Sequence, residues 1–167
     1  PKLWWPDEPN LYLLRASVVV EGQVIDVSDT RFGFREWDWS TKDFKLNGIV
    51  WHGWADCFTQ PTKEAWLAFY QAKNETCMRF WGTTWQGLPP EEALAFFDEN
   101  GVVCRRSGIL DGETIGYLPI ENDPDLKRES PLKMDLLRNW REQVAAQVKG
   151  ERNHPSVMIW SLENEFL

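Results

Sequence analysis

The sequence predicts an α/β fold with a parallel sheet, entered through a short stretch of β-structure. Three observations carry this. From Ile49 onward, short apolar runs alternate with helical segments in the order β-α-β-α-β-α-β, and such alternation implies parallel strands joined by right-handed crossovers. The run Ser156–Leu162 is apolar on alternate and intervening positions alike, as in a strand covered on both faces. Before Ile49, β-branched runs punctuated by Glu21-Gly22 read as hairpin strands. The alternation fits a doubly wound open sheet or half of a (β/α)8 barrel. No GxGxxG or phosphate loop follows the first strand, which weakens the nucleotide-binding form of the open sheet.

In chain order, Leu11–Leu14 is a short apolar run, and Ala16–Val20 pairs with Gln23–Val27 across the Glu-Gly turn. Phe32–Arg35 reads as a further strand, Asp43–Gly48 as a small hairpin, and Ile49–Trp54 as the first strand of the alternating region. Thr62 is a suitable N-cap for a helix to about Asn74, with Trp66, Phe69 and Tyr70 inward. Thr76–Trp81 is the second strand. Pro89-Pro90 opens a helix that Asn100-Gly101 stops, and Val102–Arg105 is the third strand. A Gly-, Asp- and Pro-rich loop runs from Ser107 to about Glu129. Ser130-Pro131 then starts a helix ending near Gly150, with Leu132, Leu136, Trp140, Val144 and Val148 in one stripe.

Composition excludes several functions. A net charge of −8 is opposite to the cationic field that nucleic acid requires. His52 and His154 are too few for a zinc site, and Cys57, Cys77 and Cys104 form no CxxC, so no metal is expected. No run approaches the roughly 18 apolar residues of a membrane span. Eleven tryptophans are unusual; each is either core or a platform for the C–H face of a sugar. No feature specifies a compartment or an oligomeric state.

The chemistry concentrates in Asn153-His154-Pro155-Ser156-Val157-Met158-Ile159-Trp160-Ser161-Leu162-Glu163-Asn164-Glu165. An Asn-Glu pair here follows the carboxyl end of a buried parallel strand, where α/β barrels gather their catalytic groups. A carboxyl group near apolar surface is held protonated, because desolvation disfavours its charge, and can then protonate a leaving glycosidic oxygen. The adjacent amide can both donate to and accept from sugar hydroxyls.

This segment resembles the signature of glycoside hydrolase family 2, the family of β-galactosidases, β-glucuronidases and β-mannosidases. So do Leu3–Tyr12, Arg31–Arg35 and Phe44–Gly48, in order. The resemblance implies residues 1–38 as the end of an immunoglobulin-like β-sandwich and residues 39–167 as the first half of a (β/α)8 TIM barrel, about four βα units. It implies a retaining β-glycosidase that needs no cofactor and takes a carbohydrate substrate. Glu165 aligns with the general acid/base and Asn164 with the amide that contacts the sugar 2-hydroxyl. Arg79 aligns with an arginine that supports the catalytic carboxylate, and a lone arginine in an apolar run calls for an internal anionic partner. Trp81 is similar to a substrate-binding tryptophan of β-mannosidase-like members. His52 and Asp56 are candidate subsite residues, whereas His154 and Pro155 are structural. The retaining mechanism needs a second carboxylate about 5–5.5 Å away. In the family that nucleophile follows the seventh strand, so this chain alone is expected to be inactive. The alternatives are a non-catalytic carbohydrate-binding relative and a retaining hydrolase of another family in the same clan.

Overall fold

The computed structural model describes residues 1–40, 42–56, 58–108 and 131–162. Strands β1 (Tyr12–Val20) and β2 (Gln23–Phe32) form an antiparallel hairpin. Its two turn residues, Glu21 and Gly22, both take positive φ (50° and 80°), the primed turn that matches strand twist. Short strands β3 (Trp37–Asp38), β4 (Lys45–Leu46) and β5 (Ile49–Val50) form a second antiparallel sheet. The third sheet is parallel, in the order β6 (Met78–Phe80), β7 (Cys104–Ser107), β8 (Val157–Ser161). Helix α1 (Lys63–Ala72) precedes β6, α2 (Pro90–Asn100) links β6 to β7, and α3 (Pro131–Glu151) leads into β8.

Helix ends follow local chemistry. Thr62 caps α1 by accepting from the Ala65 amide. Pro90 opens α2, and Gly101 ends it in the left-handed conformation at φ 66°. The amides of Gly101 and Val102 both donate to the Phe97 carbonyl. That cap explains why β7 starts at Cys104 rather than Val102. Gly101 has a second constraint: a β-carbon there would lie 1.7 Å from the Pro6 carbonyl oxygen. The segment before β1 is therefore seated directly on α2. Trp4, fully buried, completes that contact by donating from its indole Nε1 to the Asp98 carbonyl at 2.9 Å.

The main core lies between one face of the parallel sheet and helices α1 and α2. It comprises Trp66, Tyr70, Met78, Phe80, Ala93, Leu94, Phe97, Val102, Cys104 and Val157. Burying each large apolar side chain of this set contributes about 1.5–3 kcal/mol. Trp140, Val144 and Val148 form a half-buried stripe on α3; the side chains of Leu132 and Leu136 lie outside the described residues.

Two expected strands are corrected. Phe32 ends β2, and Gly33–Arg35 continue without a ladder, tied through the Trp4 amide to the Phe34 carbonyl. Ile49–Trp54 is strand only at Ile49–Val50, and there it pairs with β4. Beyond that, Thr76 takes over the junction with β6. Its hydroxyl donates to the His52 carbonyl at 2.7 Å and accepts from the Trp54 amide at 2.6 Å. The amides of Thr76 and Cys77 converge on one acceptor, the Trp54 carbonyl. Side-chain bonds of this kind compete with a regular ladder. Among the described residues, the parallel sheet thus has three strands where four were expected.

Candidate active site

The carboxyl ends of β6, β7 and β8 lie side by side because the strands are parallel and in register: Arg79 pairs with Arg105, Arg105 with Ile159, and Ser107 with Ser161. Residues paired across strands share a face. Met78, Phe80 and Cys104 point into the core. Arg79 and Arg105 are on the other, solvent-facing side. Arg79 donates from Nε to Ser107 Oγ at 3.2 Å, and its guanidinium lies 5.3 Å from the Trp81 ring centroid. Arg105 donates from Nη2 to Ser161 Oγ at 2.9 Å. Each serine is one strand over and nearer the carboxyl end, so both arginine heads lean toward that end of the sheet.

Trp81, just past β6, is 47% exposed and Trp54 is 61% exposed, so both can offer a ring face to solvent. Trp4 and Trp66 are core residues instead. Arg79 and Trp81 are thus brought together. Arg79 is exposed, and a second arginine, Arg106, is buried against a carboxylate. Asn164 and Glu165 lie outside the described residues, as do Glu163 and the segment 109–130. Asp56, among the described residues, is held elsewhere. Its carboxylate is 2.8 Å from Lys73 Nζ, and its amide donates to Glu75 near the amino end of β6.

Arg106 was not singled out by sequence. It is 1% exposed and contacts Glu151 of α3 at 3.0 Å. It also donates to the carbonyls of Gly82 at 2.9 Å and Ser107 at 3.0 Å, and stacks 4.1 Å from the Phe80 centroid. One side chain therefore fixes the carboxyl ends of β6 and β7 to α3. Next to them, a β-carbon at Gly108 would lie 2.1 Å from the Leu162 carbonyl, so the exits of β7 and β8 are in direct backbone contact.

The amino end of β8 is fixed as firmly. His154 Nδ1 is 2.6 Å from Asp98 Oδ2, and Asp98 Oδ1 accepts from the Ser156 amide at 3.0 Å. Arg35 donates to the carbonyls of Pro155 and Val157. Burial pulls the Arg35 guanidinium below its usual pKa, opposed by the field of Asp98. These contacts explain the structural reading of His154 and Pro155. Burial also raises the thiol pKa of Cys77 and of Cys104, which disfavours their thiolates. Among the described residues, no cluster of His, Cys, Asp and Glu could hold a metal, and no helix is long and apolar enough to cross a membrane.

Parallel strands linked through helices, preceded by an antiparallel hairpin and a tryptophan-bearing segment, define part of an α/β protein. The chain belongs to glycosyl hydrolase family 2. The family model described as "Glycosyl hydrolases family 2" matches residues 1–35, and "Glycosyl hydrolases family 2, TIM barrel domain" matches residues 90–166. A protein of Formosa agariphila named putative beta-glucuronidase is 29% identical over 99% of this chain and 16% of its own length. A second so named from the same organism is 43% identical over 99% of this chain and 19% of its own. The chain thus spans less than a fifth of the length of each of these curated relatives. The solved β-glucuronidase of Ruminococcus gnavus has the same fold, with TM-score 0.77 and 19% identity over 100% of this chain and 28% of that one.

Proposed function

We propose that the protein containing this chain hydrolyses terminal β-linked sugars with retention of configuration. In this reading, residues 1–38 close an immunoglobulin-like domain, and residues 39–167 supply the opening βα units of the barrel and the acid/base half of the site. Glu165 protonates the leaving oxygen while a glutamate from outside this chain attacks the anomeric carbon. Glu165, now ionised, then takes a proton from the water that releases the glycosyl-enzyme. Asn164 contacts the sugar 2-hydroxyl, Arg79 supports the catalytic carboxylate and Trp81 offers its ring to the sugar.

The observation that carries this reading is the joint carboxyl end of β6, β7 and β8. Arg79, Trp81, Ser107 and Ser161 meet there, and the chain passes from Ser161 to the Asn-Glu pair within four residues. The names of the relatives, beta-glucuronidases among them, agree with a β-glycosidase.

The exposed Trp54 and Trp81 would equally suit a sugar-binding protein without turnover. A panel of nitrophenyl α- and β-glycosides separates the two. The intact protein is expected to release nitrophenol from at least one β-glycoside and from none of the α-anomers. Binding of sugars without release from any member would sink the hydrolase reading.

A further inference from the structure

Resting on the hydrolase reading above, we propose that Arg105 is a specificity residue that recognises a negatively charged substituent, a carboxylate or a sulfate ester, on the substrate sugar.

The first observation is the pairing of two guanidinium groups. Arg79 and Arg105 are lateral partners on β6 and β7, on the same solvent-facing side of the sheet. Neighbouring strands lie about 4.8 Å apart, and like charges directly opposite one another are unfavourable. The chain as a whole carries a net charge of −8, so this concentration of positive charge runs against its average. Arg79 already has an assignment in the proposed mechanism. Arg105 has none.

The second observation is what holds Arg105. Its partner among the described residues is the neutral hydroxyl of Ser161, which orients the guanidinium without neutralising it. The neighbouring Arg106 shows the contrast, since it is buried and its charge is met by Glu151. Arg105 is exposed and carries its charge toward the carboxyl end of the strands, where the sugar is expected. With one amino group bound to Ser161, the remaining edge of the fork still offers paired N–H donors. That is the geometry that fits a carboxylate or sulfate bidentately.

A matched set of substrates tests this in the intact protein: a nitrophenyl β-glucuronide, the β-glucoside and the β-glucoside 6-sulfate. They differ at C6 by carboxylate, hydroxymethyl and sulfate. The quantity read is the ratio of kcat/KM for each anionic substrate to that for the neutral glucoside. In Arg105→Gln the ratio for the preferred anion should fall about 100-fold. Arg105→Lys, which keeps a point charge without the fork, should lose about 10-fold. Whichever anion has the higher kcat/KM with the unaltered protein identifies the source of the charge.

An unchanged ratio in both variants would overturn the proposal, whatever happens to total activity, since a structural arginine would depress all three substrates alike. If Arg105→Gln fails to fold, Arg105→Lys alone decides. If none of these three is turned over, the wider glycoside panel above decides the hydrolase reading separately. Calorimetric titration with glucuronate, glucose 6-sulfate and glucose then decides: anion-selective binding lost in Arg105→Gln supports the role, and equal binding of all three refutes it.

Discussion

Glu165→Gln in the intact protein is expected to lower kcat/KM by about 10³-fold on β-glycosides with alkyl-alcohol leaving groups, and by less than about 10-fold on dinitrophenyl glycosides. The asymmetry follows from the proposed role. An alkoxide is too basic to depart without a proton, whereas dinitrophenolate leaves unaided, so only the first needs an acid in the transition state. The second step still needs a base, so kcat on the dinitrophenyl substrate should fall although kcat/KM on it does not. Steady-state kinetics on the two substrates check this. An equal loss of kcat/KM on both would assign Glu165 to binding or folding rather than to proton transfer.

Arg106→Met is expected to destabilise the protein by about 3–5 kcal/mol, read as a shift in the urea midpoint at unchanged slope. Removal of the guanidinium leaves Glu151, whose side chain is 11% exposed, as a buried carboxylate without its cation. It also releases the carbonyls of Gly82 and Ser107, which Arg106 holds at the carboxyl ends of two strands. The double variant Arg106→Met, Glu151→Leu should recover much of the loss, because replacing both members of a buried pair avoids the isolated charge. A loss under about 1 kcal/mol in the single variant would show that the pair does not hold α3 to the sheet.

Much of the fold is legible because it is set by neighbours in sequence. Thr62 caps α1 with its own hydroxyl, and Pro90 and Gly101 bound α2 by their φ preferences together with the local cap on Phe97. Glu21-Gly22 turns the hairpin for the same reason. The errors arise where a distant partner decides. Nothing around Trp54 indicates that Thr76, twenty-two residues on, will occupy its amide. Arg105-Arg106 reads as one charged dipeptide, yet strand alternation sends the two side chains to opposite faces. Only Glu151, forty-five residues away, reveals which one is buried. Asp98 and His154 are fifty-six residues apart and equally silent. Of the proposed site, Arg79 and Trp81 come from the family resemblance, and in the structure they stand side by side. Asn164 and Glu165 are known through the segment that precedes them, and their roles rest on family resemblance and on the strand that leads to them.

The most direct test is to follow hydrolysis of an aryl β-glycoside by the intact protein with proton NMR, recording the anomeric signal of the first sugar released. Double displacement requires the β-anomer to appear first, with the α-anomer growing only as fast as mutarotation allows. Initial release of the α-anomer would mean a single displacement by water, and would contradict the pairing of Glu165 with a nucleophilic glutamate.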